Sequence, residues 1–262
     1  MSTPSYPQLA SGTLSQYPVR KTRRTRTVVN LAADGSTVRL ADPEAETIEW
    51  RLEYEGLSDS EADAVEEFFT AAEGSLQGFT FLDPMSNLLA WSDRLDAEAW
   101  QTDPLLVATG GVDDPGGGTR GWRLNNTGGG GQRIGQTLQA PGGYTYCFSI
   151  YVRIARAAVV RLWIGDEAAE RVAPESWSRL VFTAAAPEGA ESIRFAVEVP
   201  AGTELDVYGM QAEAQGGAGV YRGSTHGGVY PDAHFGEDVF RITRTGFNRN
   251  SCTVKVIHAN HL

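Results

Sequence analysis

The stretch Gly78–Trp100, GFTFLDPMSNLLAWSDRLDAEAW, changes character in the middle. Phe79 to Leu82 alternates as a sheet strand does and stops at the turn-forming pair Asp83-Pro84. From Asn87 onward, NLLAWSDRLDAEAW starts a different pattern, with no flexible linker in front of it. An inserted domain leaves and re-enters its host at neighbouring surface points, so an abrupt junction is what an insertion leaves in a sequence. The stretch therefore predicts one domain interrupted by another.

Upstream of it, RTRTVVNL and STVRLAD are strand-like and flank Ala33-Asp34-Gly35-Ser36, a hairpin signal of the Asp-Gly type. TIEWRLEY alternates, with Ile48, Trp50, Leu52 and Tyr54 on one side and Glu49, Arg51 and Glu53 on the other. A helix is predicted from Asp59 to about Glu73. Ser58 is its N-cap, Glu61 completes a capping box and Gly74 ends it. Ala62, Val65, Phe68, Phe69 and Ala72 share one stripe, which reads as core.

Downstream, GWRLNN, QRIGQTLQA, YTYCFSIYVRI, AVVRLWIG, WSRLVFTAAA, SIRFAVEVP and LDVYGMQAE are short strand-like runs separated by turn signals. They predict an antiparallel β-sandwich. The loops VDDPGGGTRG and NNTGGGGQ lack the GxGxxG spacing and the following helix that a phosphate cradle needs. After the glycine-rich GGAG, VFRIT and CTVKVI read as a closing hairpin around RTGFNRN. That final segment is too short to bury a core alone and should return to the sheet of the first block. The expected organisation is an N-terminal arm at 1–14, a discontinuous domain at 15–86 plus 216–262, and an inserted jelly-roll sandwich at 87–215. The fold class is mainly β with one helix.

The totals agree with that class: 262 residues, 41% hydrophobic, 21% charged and 30 glycines suit a globular chain rich in turns. No run approaches the length of a membrane-spanning helix, and MSTPSYPQLASG has no secretory pattern, so a cytosolic origin without membrane insertion is expected. Cys147 and Cys252 sit in apolar alternating runs and read as buried thiols. The net charge is −11, unevenly spread. Residues 1–43 carry six Lys/Arg against Asp34 and Asp42, whereas 44–73 carry eleven acids against Arg51 alone. Two outcomes fit: subunit contact between the basic part of one copy and the acidic face of the next, or an arm folded onto its own domain. Candidate subunit-contact residues are Arg20, Lys21, Arg23, Arg24 and Arg26, with Glu61, Glu66 and Glu67. Nucleic acid is disfavoured by the acidic total.

The search for chemistry returns little. There is no GxSxG, HExxH or CxxC, and no catalytic or cofactor-binding set is assigned. His226, His234, His258 and His261 all lie near the C-terminus; the last two are expected at the surface after the final strand. Asp113 and Asp114 precede Pro115-Gly116 and read as turn residues, with calcium ligation the alternative. Trp122, Trp163 and Trp177 fall in strand-like runs, where core packing is the first reading. Trp122 lies between two glycine-rich loops with Arg120, Arg123 and Asn125 beside it, and these four are the candidate glycan contacts.

The line TRRTRTVV…TIEWRLEYEGLSDSEADAVEEFFTAAEGSLQGFTFLDP resembles the amino-terminal half of phage distal-tail and minor tail proteins, found also in phage-like particles and gene transfer agents. The matching features are Trp50, Leu57 to Ala62, Phe68-Phe69, Gly74 and Asp83-Pro84. NLLAWSDRLDAEAW and LDVYGMQAEAQGGAGVYRGST are similar to the opening and ending of phage jelly-roll modules of carbohydrate-binding type. The resemblance implies a non-enzymatic virion component at the tail tip. It would form a homo-oligomeric ring, hexameric or trimeric, that joins the tail tube to baseplate and hub proteins, with a sandwich facing host-surface polysaccharide. The alternatives are an adhesion module acting through the sandwich alone and a glycan-processing enzyme.

Overall fold

The computed structural model describes residues 3–259, leaving aside the side chain of Pro43. The chain runs through β1 Val19–Leu31, β2 Thr37–Leu57, α1 Asp59–Ala71 and β3 Phe79–Leu82. It continues with β4 Gln101–Thr102, β5 Leu106–Val112, β6 Gly121–Asn126, β7 Gln132–Leu138 and β8 Thr145–Ile154. Next come β9 Ala158–Ile164, β10 Glu167–Ala173, β11 Ser178–Ala185, β12 Ile193–Val199 and β13 Glu204–Glu213. The last strands are β14 Val229–Phe235, β15 Ile242–Arg244 and β16 Asn250–Ala259. The protein is mainly β with a single helix among the described residues, whose contacts divide them into two compact units: 3–9, 15–81 and 230–259, and 10–14 with 82–229.

The first unit is built on one sheet of order β1-β2-β16-β14-β3, with β15 attached to β16. The Asp34-Gly35 turn forms as the sequence indicates: the Asp34 carboxylate accepts from the Ser36 backbone N–H at 2.9 Å, and Gly35 takes φ +84°, which a Cβ would resist. STVRLAD and TIEWRLEY, expected as separate strands, are one strand. The pairing slips between Arg24 and Arg26, and the chain carries Pro43, which has no N–H to give, through that irregularity. β16 then pairs with β2 over Ala259 to Asn250, so the two ends of this unit close one sheet. Trp50, Leu52, Tyr54, Phe79, Phe81 and Val256 are fully buried, each side chain contributing about 1.5–3 kcal/mol.

α1 has the expected capping box: the Ser58 hydroxyl accepts from Glu61 N while Glu61 reaches back to Ser58 N. It ends at Ala71, with Gly74 at φ +65° just beyond. Ala62 and Val65 are buried, and Phe68 and Phe69 meet Phe79 and Phe235 at ring-centroid distances of 5.1 and 5.0 Å. Their stripe is core.

The second unit holds two five-stranded antiparallel sheets, β10-β9-β12-β7-β4 and β11-β8-β13-β6-β5. Their facing residues, Tyr146, Phe148, Ile150, Leu162, Phe195, Val197 and Leu205 among them, are fully buried. The opening NLLAW is tied in by buried Asn87. Its side-chain amide donates to the Met210 carbonyl at 2.8 Å, and its oxygen accepts from Leu89 N and Ala212 N. Gly135 is required by close packing, because a Cβ there would lie 2.2 Å from the Phe195 carbonyl oxygen.

Several expectations need correction. β14 spans VYPDAHF, which is not among the strand-like runs read from the sequence; its Pro231 and glycine-rich approach mask the alternation. β10, EAAERVA, was hidden by its charges. Residues 216–229 group with the sandwich rather than with the returning segment, and residues 3–9 of the expected arm group with the first unit, where Tyr6 is buried and its hydroxyl meets that of Tyr54 at 2.9 Å. His258 lies within β16, half-buried against Tyr230, instead of following the last strand; His261 lies outside the described residues. Cys147 and Cys252 are free and buried, as expected. No helix among the described residues is long and apolar enough to cross a membrane.

Candidate functional site

The sequence-derived candidates do not all share one face. Alternation along β6 sends Arg123 and Asn125 outward, whereas Trp122 shares the register of the inward Leu124. Trp122 donates its indole N–H to the Asp93 carbonyl at 3.1 Å and covers Gly110. Arg120 lies over the Tyr208 ring at 5.2 Å and reaches Asp114. The Asp114 carboxylate is fully engaged in its own turn, accepting from the backbone N–H groups of Gly116, Gly118 and Arg120. Burial opposes its ionisation, but those donors outweigh burial and hold its pKa below the usual value. Asp113 is exposed beside it. Among the described residues, no group of three or more His, Cys, Asp or Glu side chains is placed to hold a metal ion, and His226 and His234 fall in different units.

The basic run of β1 meets the acidic stretch of its own hairpin. Arg23 pairs with Glu46 at 3.0 Å, Arg24 with Glu49 at 3.2 Å and Arg26 with Asp42. Lys21 sits over the rings of Trp50 and Tyr230. Glu61 serves the helix cap, Glu66 pairs with Arg244 at 3.2 Å, and Arg20 and Glu67 are exposed.

A different set converges on the outer face of the β11-β8-β13-β6-β5 sheet. In register across three strands lie Arg153, Asp206 and Arg123. Asp206 accepts from Arg123 Nε at 2.8 Å and Nη2 at 3.2 Å, and from Arg153 Nε at 3.0 Å. Burial pushes the Asp206 carboxyl toward its neutral form, but the two guanidiniums outweigh burial and lower its pKa. The Arg153 guanidinium lies over the half-buried Trp177 ring at 4.9 Å, and Asn125 pairs with Glu204 in the next row. Arg123, Arg153, Glu175, Glu204 and Asp206, with Ile154 and Ala155, line a shallow pocket of about 270 Å³. Charge there is balanced toward acid, three carboxylates against two guanidiniums.

Sequence reasoning found Arg123 and Asn125 of this constellation and missed Arg153, Glu175, Trp177, Glu204 and Asp206. One signal was legible: Asp206 is a lone acid inside the apolar LDVYG run, where an unpaired carboxylate is costly. Trp177 reads as core in the sequence because it falls in the strand-like run WSRLVFTAAA. Its indole nitrogen is buried, yet the ring carries a guanidinium on its face.

No protein family and no curated protein matches this chain. Solved structures do. The C-terminal family 22 carbohydrate-binding module of Clostridium thermocellum Xyn10B is similar over 53% of this chain and 99% of its own, at 12% identity and a TM-score of 0.41. The enzymatically active domain of bacteriophage CBA120 tailspike protein 4 is similar over 51% of this chain, at 12% identity and a TM-score of 0.40. The CBM22-1–GH10 modules of Clostridium thermocellum xylanase 10B are similar over 48%, at 14% identity and 0.38. The chain spans 22% of that tailspike structure and 27% of that xylanase structure.

Proposed function

We propose that the protein is a non-catalytic binding protein whose sandwich takes a neutral saccharide in the Arg123–Asp206–Arg153 pocket. The observation that carries the reading is the cross-strand clamp itself. Sugar hydroxyls donate and accept at once, so planar guanidinium and carboxylate groups fixed in one row suit them. The half-buried Trp177 indole beside the row, with the Arg153 guanidinium over one face, holds that guanidinium in place and adds apolar surface at the margin of the pocket. The excess of carboxylates disfavours an anionic ligand. A volume of about 270 Å³ is just under the range of about 300–1,000 Å³ for drug-sized ligands, which suits one or two sugar rings. Affinity electrophoresis of the whole chain through gels containing neutral polysaccharides tests this. At least one should retard the protein, and Trp177→Ala should release it while the far-UV spectrum stays unchanged. Free migration in every gel, or equal retardation of the variant, refutes the reading.

A second reading makes the chain a structural component of a phage or phage-like tail tip, joining tube to baseplate. It is supported by the order of Trp50 and Leu57–Ala62 on β2 and the start of α1, Phe68-Phe69 on α1, and Asp83-Pro84 directly after β3. Locating the chain by specific labelling in purified particles tests it; particles without the chain exclude it.

A further inference from the structure

The outer half of the β1–β2 hairpin is a two-stranded ribbon with apolar side chains on both faces. Val28, Val38 and Leu40 share one face and are 38%, 46% and 52% exposed; Val29 and Leu31 lie on the other, at 55% and 77%. β16 reaches β2 only as far as Thr47, so the ribbon past that point is two strands wide among the described residues. An isolated ribbon of this kind is marginal in water. The sheet's two edges are also treated differently. The β3 edge is covered by Pro4–Tyr6, through Tyr6 N to Thr80 O at 3.0 Å and Thr80 N to Pro4 O at 2.8 Å. The β1 edge carries no strand among the described residues along its whole length. An open, long, apolar edge is a template for pairing.

We propose that this edge is a dimer interface, in which β1 pairs antiparallel with β1 of a second copy about a two-fold axis at Val28. Charge marks where a second copy can approach and excludes some registers. Each copy carries −11, so two copies repel over most of their surfaces. Residues 25–42 are neutral, with Arg26 and Arg39 balanced by Asp34 and Asp42, and they offer the approach of lowest electrostatic cost. Pairing centred on Val28 sets Arg26 opposite Asn30 and Val29 opposite Thr27. A register centred on Arg24 would instead set Arg24 against its own counterpart, and one centred on Arg23 would set Arg20 against Arg26; like charges directly opposite are destabilising. The interface is isologous, so it closes on itself at two copies. It stands whether or not the sandwich binds saccharide.

Two measurements on the full chain test it. Native mass spectrometry at high micromolar protein should show a dimer, and Val29→Pro, which removes an N–H facing the open edge because Val28 and Asn30 direct theirs to β2, should shift it to monomer. In a separate variant, Val28→Cys should form a disulfide-linked dimer under mild oxidation, whereas Leu31→Cys, set opposite Thr25, should not; the native Cys147 and Cys252 are buried. A chain that stays monomeric, a trimer or hexamer, or cross-linking through Leu31→Cys in preference to Val28→Cys each overturns the proposal.

Discussion

Val254, in the strand that ends the described chain, lies in antiparallel register with Leu52 in β2, and both side chains are buried. The whole sandwich sequence intervenes between them. The first unit is therefore complete only when β16 is in place, and its stability depends on residues at the far end of the chain. Val254→Asp should cost several kcal/mol, on the order of 3–5, because it buries a carboxylate without a partner. Hydrogen exchange should then quicken in β2 and β16 while β8 and β13 keep their protection. Equal loss in both units would contradict the division.

Gly135 is the tightest backbone approach in the β12–β7 pair. Gly135→Ala places a methyl against Phe195 O and the Ala196 methyl and should destabilise the sandwich by about 3 kcal/mol. Thermal unfolding followed by near-ultraviolet dichroism checks this; an unchanged midpoint would show that β7 can move away at little cost.

Asp206 links stability to pH. Its folded pKa is lowered, so its contribution is present above the unfolded carboxylate value of about 3.9 and is lost as pH falls through the folded value. Asp206→Asn should cost about 2 kcal/mol at neutral pH. The gap between variant and native protein should shrink in acid. Denaturant midpoints from neutral pH down into strong acid give the test, and a gap independent of pH would exclude the clamp as its cause.

His258 has the opposite chemistry and the same sign. Burial is the largest influence and lowers its pKa; His234 adds to that, while Asp232, the Pro231 carbonyl and Glu46 pull the other way. Neutral His258 thus stabilises the fold above about pH 6.5, and that contribution fades as acid protonates the buried ring. His258→Gln should flatten the fall in unfolding midpoint between about pH 7 and 5. A variant with the same slope as the native protein would remove His258 from the account.

Local rules were legible in the sequence wherever one residue fixed one conformation. The Asp34-Gly35 turn, the Ser58–Glu61 box and the alternation of Trp50 and Leu52 each carry their own geometry. β14 and β10 were not legible, since Pro231 and the charges of EAAERVA hide strands whose pairing is decided by partners distant in sequence. The candidate pocket was half legible for the same reason. Arg123 and Asn125 stand together on β6, but Arg153 and Asp206 join them only once β8 and β13 are laid side by side.

The most direct test of the saccharide reading is amide chemical-shift mapping on the full chain, titrated with the neutral oligosaccharide selected by gel retardation. Perturbations confined to residues 123–125, 153–155, 175–177 and 204–206, and absent in Arg153→Ala, are the expected result. Shifts centred elsewhere on the sandwich, or a titration that Arg153→Ala leaves intact, would contradict the account.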